Sequence, residues 1–273
     1  MADIKAADVS KLRKATGAGM MDCKKALQES DGDFEKATDI IRKKGQAVAN
    51  KRADRDATEG AVLAKIDGKK GALVVLNCET DFVAKNDDFV AFTNQILDKA
   101  LAESPADLTA LKALEIDGKS IEELVTERIG MIGEKLDLSF YEMIEAEKVV
   151  AYIHPGNKLS TLVGFSKDTD IQVGKDIAMQ IAAMAPVAVD KENVAPEIIE
   201  KEREIGREQA RLEGKPEAIL DKIADGKVNK FFKEMTLLNQ AFTKDNKKTV
   251  KQYLNEVDKE LQVTGFIRFG LGS

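Results

Sequence analysis

The sequence predicts an α+β protein in three parts. A three-helix N-terminal module with its linker occupies residues 1–55. Two similar α+β halves with small antiparallel sheets follow at 56–145 and 146–273, and a projecting antiparallel coiled-coil hairpin, 194–237, interrupts the second half. Three observations carry this reading. The apolar run Gly71–Cys78 reads as a buried strand, and from Asn86 the spacing of Phe89, Val90, Phe92, Ile96, Leu97, Ala100 and Leu101 becomes helical. The order hairpin, helix, helix, strand occurs twice, with little identity between the copies. Between the copies' elements, Glu197–Leu212 is dense in charge and offers only Ile198, Ile199, Ile205 and Leu212 as large apolar residues.

In the N-terminal module, Asp8 is placed to cap a first helix carrying Val9 and Leu12, and Gly17-Ala18-Gly19 breaks it. Asp22 is placed to cap a second helix burying Ala26 and Leu27. Asp33 caps a third with Phe34, Ala37, Ile40 and Ile41 inward and Gly45 as its stop. Lys51–Asp56 reads as a linker. In the first half, Ala61–Ile66 is a strand, Asp67–Gly71 a turn, and Gly71–Cys78 its partner. Asn86 caps the long helix, which ends near Ser104-Pro105. A second helix follows Asp117–Ser120 through Leu124, Val125, Ile129 and Ile132, and Leu136, Leu138, Phe140 and Met143 fit a third strand. The second half repeats this. It has strands at Val149–Ile153 and Leu159–Phe165 around the turn His154–Asn157, helices at Lys175–Ala185 and about 247–261, and a last strand at Val263–Phe269. Ile198, Ile205 and Leu212 recur every seven residues, the spacing of a coiled-coil seam, and Gly214-Lys215-Pro216 turns the chain back.

Composition excludes several classes. A chain of 273 residues with 33% charged residues and a net charge of −6 suits a soluble protein and argues against general nucleic-acid affinity. No apolar run approaches membrane-spanning length, and the N-terminus shows no apolar signal segment. Cys23 and Cys78 fit no metal or redox spacing, and together these features suggest a reducing cytoplasm. Residues 1–55 differ in sign from the whole: 13 Lys and Arg against 9 Asp and Glu leave +4, which suits either a nucleic-acid contact or docking to an acidic protein helix.

Between the opening strand and its helix lies Thr80-Asp81-Phe82-Val83, an acid beside a large aromatic in a connection. Phe82 reads either as a core residue under the following helix or as a presented contact; Asp81 reads either as a first-turn acid or as part of that contact. Glu79, Asp81, Asp87 and Asp88 crowd together, but they straddle a strand end and a helix start rather than converging on one ion, so no metal site is expected. Gly17-x-Gly19 lacks the rest of a phosphate loop and no strand precedes it. The single histidine, His154, sits in a turn beside Pro155-Gly156. Met20 and Met21 follow a Gly-rich turn; they read either as core residues or, paired beside a flexible turn, as an adaptable protein contact. No catalytic constellation and no cofactor motif is present, and no enzyme activity is expected.

Two longer stretches resemble one family. Asn77-Cys78-Glu79-Thr80-Asp81-Phe82-Val83-Ala84-Lys85 resembles the signature of the elongation factor Ts family, and Leu12–Leu27 resembles its N-terminal module. They occur in the family's order, and the resemblance covers almost the whole chain. It implies a translation elongation factor that releases GDP from elongation factor Tu, binding that partner in its GDP-bound and nucleotide-free forms, without covalent chemistry. It implies a ubiquitin-associated-type fold for the first three helices. It also implies that Thr80, Asp81, Phe82 and Val83 enter the partner's G domain and disturb its Mg²⁺ site. Arg13, Met20 and Met21 would meet the same domain, and His154 would be a contact from the second half. No direct nucleic-acid or membrane partner is implied, and a homodimer is left open. Two alternatives stand beside it: a ribosome- or RNA-associated binding protein using the basic module, and a metal-dependent hydrolase using the acids of 79–88. Missing stacking aromatics weaken the first, and a missing general-base histidine weakens the second. Some members continue into a C-terminal helical module; the sequence given ends at Ser273, so that module's roles are not carried over.

Overall fold

The computed structural model describes residues 4–272. Three helices come first, α1 (Ala6–Thr16), α2 (Met20–Glu29) and α3 (Phe34–Arg52), around a small core of Val9, Leu12, Cys23, Ala26, Leu27 and Ala37. Two expected caps are displaced. α1 starts behind Lys5 and α2 behind Gly19, so Asp8 and Asp22 fall in first turns. They still suit the positive end of the helix dipole there, and Asp22 pairs with Lys44 of α3. Asp33 does cap α3, accepting from the Lys36 N–H at 3.1 Å. Gly45 does not stop α3. The helix runs on to Arg52 and takes in the start of the expected linker, because Gly45 serves a helix crossing instead.

The first half contains β1 (Glu59–Asp67), β2 (Lys70–Cys78), a single turn α4 (Asp81–Ala84), α5 (Asp87–Glu103), α6 (Leu108–Ala113), the small strands β3 (Glu115–Ile116) and β4 (Lys119–Ser120), α7 (Ile121–Ile132) and β5 (Leu136–Glu145). Asn86 caps α5 as expected, and Ser120 with Glu123 forms a capping box on α7. The four- and six-residue helices α4 and α6 are too short to leave a periodicity signal, and neither was expected.

The second half contains β6 (Lys148–Ile153), β7 (Leu159–Phe165), α8 (Ile171–Met184), α9 (Pro196–Leu212), α10 (Glu217–Met235), the short strands β8 (Ala241–Phe242) and β9 (Asp245–Thr249), α11 (Val250–Val257) and β10 (Val263–Gly270). The expected helix from about 247 is shorter than its apolar spacing suggested. Lys247–Thr249 belong to β9, and Thr249 with Gln252 closes the capping box that starts α11.

The two three-stranded sheets run β1-β2-β5 and β6-β7-β10, all antiparallel, and β3-β4 and β8-β9 form separate two-stranded sheets. In each three-stranded sheet, the hairpin's second strand is central and the last strand lies beside it, so the repeated plan is repeated topology. The sheets also face each other: Val62, Ala64, Leu73 and Val75 of the first pack with Val149, Leu162 and Ile267 of the second. Ala72, Val74, Leu76 and Cys78 point the other way, into the core beneath α5 and α7. Both faces of β2 are therefore buried, which is why its sequence is a continuous apolar run rather than an alternation.

α9 and α10 form an antiparallel hairpin whose packing is almost entirely mutual. Arg203 pairs with Asp225 at 3.2 Å, Arg207 with Asp221 at 2.7 Å and Arg211 with Glu217 at 2.8 Å, a register that falls on one helix as it rises on the other. The expected seam is wrong. Ile198, Ile205 and Leu212 are exposed, Leu212 to 89%, and the buried line is Gly206 and Ala210 against Leu220, Ala224 and Val228. A Cβ on Gly206 would stand 3.1 Å from the Ala224 Cα, so the axes are too close for a branched residue at the contact. The arm is also shorter than 194–237, since Val194, Thr236 and Leu237 are buried at its base and Leu237 belongs to the second core. Among the described residues, no helix is long and apolar enough to cross a membrane.

Candidate functional site

Strand β2 delivers the chain to Thr80 and stops. Thr80 is extended, at φ −123° and ψ 153°, and its hydroxyl accepts from the Val83 N–H, making it the N-cap of α4. Val83 tucks against the first core and Ala84 is buried. Phe82 points outward and is 83% exposed, the most exposed Phe in a chain whose other large apolar residues are mostly buried. The core reading of Phe82 is thereby removed. A ring 83% exposed on a four-residue helical turn leaves apolar area in water that a partner could cover.

Asp81 also faces outward and meets Lys85, one turn on, at 2.6 Å. The Lys85 hydrogen bond holds its carboxyl below the ordinary aspartate value against a smaller opposing effect of desolvation, and the nearby charges of Lys85 and Lys158 act in the same direction as the bond. Asp81 is therefore an anion at neutral pH. Lys158 belongs to the β6–β7 turn, whose Asn157 carbonyl accepts from Val62 N–H at 2.7 Å, and Lys158 itself pairs with Glu59 at 2.7 Å. The second half's turn is thus a neighbour of α4. His154 opens that turn, exposed, with its Nδ1 2.8 Å from the Tyr152 hydroxyl.

The N-terminal module supplies the other neighbour. Gly17, left-handed at φ 68°, ends α1 and lines one cleft together with Phe82, Val83, Asn86, Asp88, Phe89, Arg128, Met131 and Ile132. Met20 and Met21 start α2 directly after this turn and are 60% and 62% exposed, and Arg13 is exposed in the last turn of α1. Their exposure removes the core reading for both methionines. Inside the cleft the Arg128 guanidinium lies 4.0 Å from the Phe92 ring centroid, and burial pulls its pKa down.

The acids of 79–88 do not converge. Glu79 is held by Arg52 at 2.8 Å and Arg55 at 3.0 Å, while Asp81 turns to Lys85. Among the described residues, no group of three or more His, Cys, Asp or Glu side chains is placed to hold a metal ion. The Lys135 N–H donates to Glu79 at 2.7 Å, and chiefly this bond, with the two arginines, lowers the Glu79 carboxyl to about 2. Burial, reinforced by the charge of Glu134, pushes the Cys78 thiol up to about 12, so it stays protonated and donates to the Thr80 carbonyl at 3.2 Å.

Sequence reasoning missed Glu134, Lys135 and Arg128. Glu134 binds Thr80 twice, accepting from its N–H at 3.0 Å and its hydroxyl at 2.7 Å. All three stand more than forty positions away from the turn and carry no local pattern, so only the folded chain reveals them.

The sequence pattern of the family described as Elongation factor TS matches residues 79–273, a span that opens one residue before Thr80. Over nearly the full length, the chain is 54% identical to Elongation factor Ts of Amoebophilus asiaticus (strain 5a2), with 99% of both chains covered. It is 53% identical to that of Porphyromonas gingivalis (strain ATCC BAA-308 / W83), with 97% of both covered, and 52% identical to that of Christiangramia forsetii, with 100% of both covered. The family pattern over residues 79–273 and relatives at about half identity over nearly the full length identify the chain as a member of the elongation factor Ts family.

Proposed function

We propose that this chain is a translation elongation factor that promotes release of GDP from elongation factor Tu, and that Thr80–Val83 is the element that enters the partner's G domain. The observation that carries the reading is Phe82, 83% exposed on a turn whose first backbone N–H and hydroxyl are held by Glu134. The ring exchanges water for an apolar partner pocket, and the anionic Asp81 beside it changes the field where Mg²⁺ and phosphate were balanced. Arg13, Met20 and Met21 act as a second contact, adjacent across the Gly17 cleft, and His154 as a third from the β6–β7 turn. We further read α1–α3 as a ubiquitin-associated-type docking module and α9–α10 as a coiled-coil arm.

Magnitudes require this division. Weakening nucleotide binding by about ten-thousandfold takes about 5.5 kcal/mol of coupling. Burying one Phe contributes roughly 1.5–3 kcal/mol. The rest must come from contacts that grip the partner elsewhere while the turn is driven in. Linkage makes the effect reciprocal, so GDP weakens binding of this chain by the same ratio. The test is release of a fluorescent GDP analogue from loaded elongation factor Tu, with wild type and Phe82→Ala compared. Release that is not accelerated by wild type removes the reading.

A further inference from the structure

Helix α4 has four residues, far below the length at which a helix holds itself. Its own cap is weak, since the Val83 N–H reaches Thr80 Oγ1 only at 3.4 Å. Yet it presents a fully exposed aromatic, so its attitude has to be set from outside. Two carboxylates do this. Glu134 takes the Thr80 N–H and hydroxyl at 3.0 Å and 2.7 Å, and Glu79, the preceding residue, takes Arg52, Arg55 and the Lys135 N–H.

Both meet at one short connection. Gly133, left-handed at φ 77°, ends α7, and Glu134 and Lys135 follow before β5 begins. Lys135 reaches the other way too: its Nζ donates to the carbonyls of Ala53 and Arg55 at 2.7 Å and 2.8 Å, just beyond the end of α3. The same α7 carries the N-terminal helices, through the Gly45–Gly130 crossing, the Arg42–Glu123 pair and Met131 packed under Gly17. One helix and the three residues after it therefore touch the docked module, the segment that tethers it and the turn that carries Phe82.

We propose that Glu79 and Glu134 are positioning residues that fix the Phe82 turn to the docked N-terminal helices through the Gly133–Lys135 connection, so that both partner contacts are presented in one fixed relation. This rests on the exchange reading above. Its physical content is pre-organisation: a turn already held in its bound attitude loses little freedom on docking, and a misplacement of about 1 Å is costly for an element that acts by position. Neither carboxylate faces the partner in this scheme; they act through Thr80 and through the backbone beside it.

The chain contains no Trp, so Phe82→Trp provides a single fluorescent reporter on the turn itself. Glu134→Gln and Glu79→Gln in that background should lower the nanosecond anisotropy of the reporter in the free protein, while melting stays cooperative. Against GDP-loaded elongation factor Tu, the same substitutions in the natural chain should lower the maximal release rate about tenfold and move the half-saturating concentration by less than about twofold. Thr80→Val should behave like Glu134→Gln, and Thr80→Ser, which keeps the hydroxyl, should restore both readouts. Adding Glu134→Gln to Thr80→Val should cost little more, as expected of two residues acting through one contact. Unchanged anisotropy in both Gln variants, or lowered anisotropy with an unchanged release rate, overturns the proposal. A wild-type chain that releases no GDP sinks the exchange reading alone, and the anisotropy still decides whether the carboxylates hold the turn.

Discussion

Gly45 of α3 and Gly130 of α7 meet backbone to backbone: a Cβ added to Gly130 would stand 2.5 Å from the Gly45 Cα. The reverse is looser, with a Cβ on Gly45 coming only to 3.7 Å from the Gly130 Cα. The pair predicts an asymmetry. Gly130→Ala must move a backbone, and should cost about 1–3 kcal/mol as overpacking. Gly45→Ala makes ordinary contact and should be neutral or stabilising by up to about 1 kcal/mol, the helix preference of Ala over Gly. Urea melts of the two variants beside wild type check this. Equal destabilisation by both would show that the crossing is not set at Gly130.

Glu79 predicts an acid limb in the stability profile. Its carboxyl is lowered to about 2 from 4.5, first by the Lys135 N–H and then by Arg52 and Arg55. The unfolded chain therefore binds this proton more readily than the folded one does. The stabilisation is complete above about pH 4.5 and is lost as the pH falls towards about 2. Glu79→Gln should lower stability at neutral pH and flatten the slope across that window. Melting temperature against pH for both proteins checks it. Parallel profiles would mean that other carboxylates carry the acid limb.

The arm formed by α9 and α10 should be removable, but only between limits that the packing sets. Deleting residues 199–229 and closing with a short turn should leave both sheets folded, because the hairpin packs mostly on itself. Extending the deletion through Leu237 should cost a further 2–5 kcal/mol or so, since that side chain is fully buried in the second core. Far-ultraviolet circular dichroism and thermal melts of the two deletions distinguish them. A short deletion that abolishes cooperative melting would make the arm part of the core.

Much of this molecule is readable where periodicity is long. The Phe89–Leu101 stripe, the run Gly71–Cys78 and the recurrence of hairpin, helix, helix, strand all correspond to observed elements. The failures share a cause. Gly45 looked like a stop because a glycine in a helix usually is one, and only Gly130, eighty-five positions on, explains it. Ile198, Ile205 and Leu212 had the right spacing for a seam, yet the close approach of α9 and α10 selects Gly206 and Ala210, and small residues leave no hydrophobic signal. At the candidate site, the presented residues Thr80–Val83 were legible as a motif. Their supports, Glu134 and Lys135, were not, because a single hydrogen-bonded pair across the fold has no local pattern.

Phe82 and Phe89 provide the sharpest contrast, two rings seven residues apart on consecutive helices. Phe89 is 1% exposed and sits in the first core, while Phe82 is 83% exposed. Phe89→Ala should cost about 3–5 kcal/mol through its cavity. Phe82→Ala should change stability by no more than about 0.5 kcal/mol, as other surface substitutions do. Exchange should sort them the opposite way. Phe82→Ala should stimulate GDP release poorly while still binding nucleotide-free elongation factor Tu, because the contacts proposed for Arg13, Met20 and Met21 remain. Asp81→Ala should show the same pattern more mildly, since the turn still enters and only its charge is lost. Thermal melts and release rates measured on the same preparations decide it. If Phe82→Ala melts like wild type and releases GDP like wild type, the exposed ring has no part in exchange, and the Met20–Met21 turn becomes the element to test next.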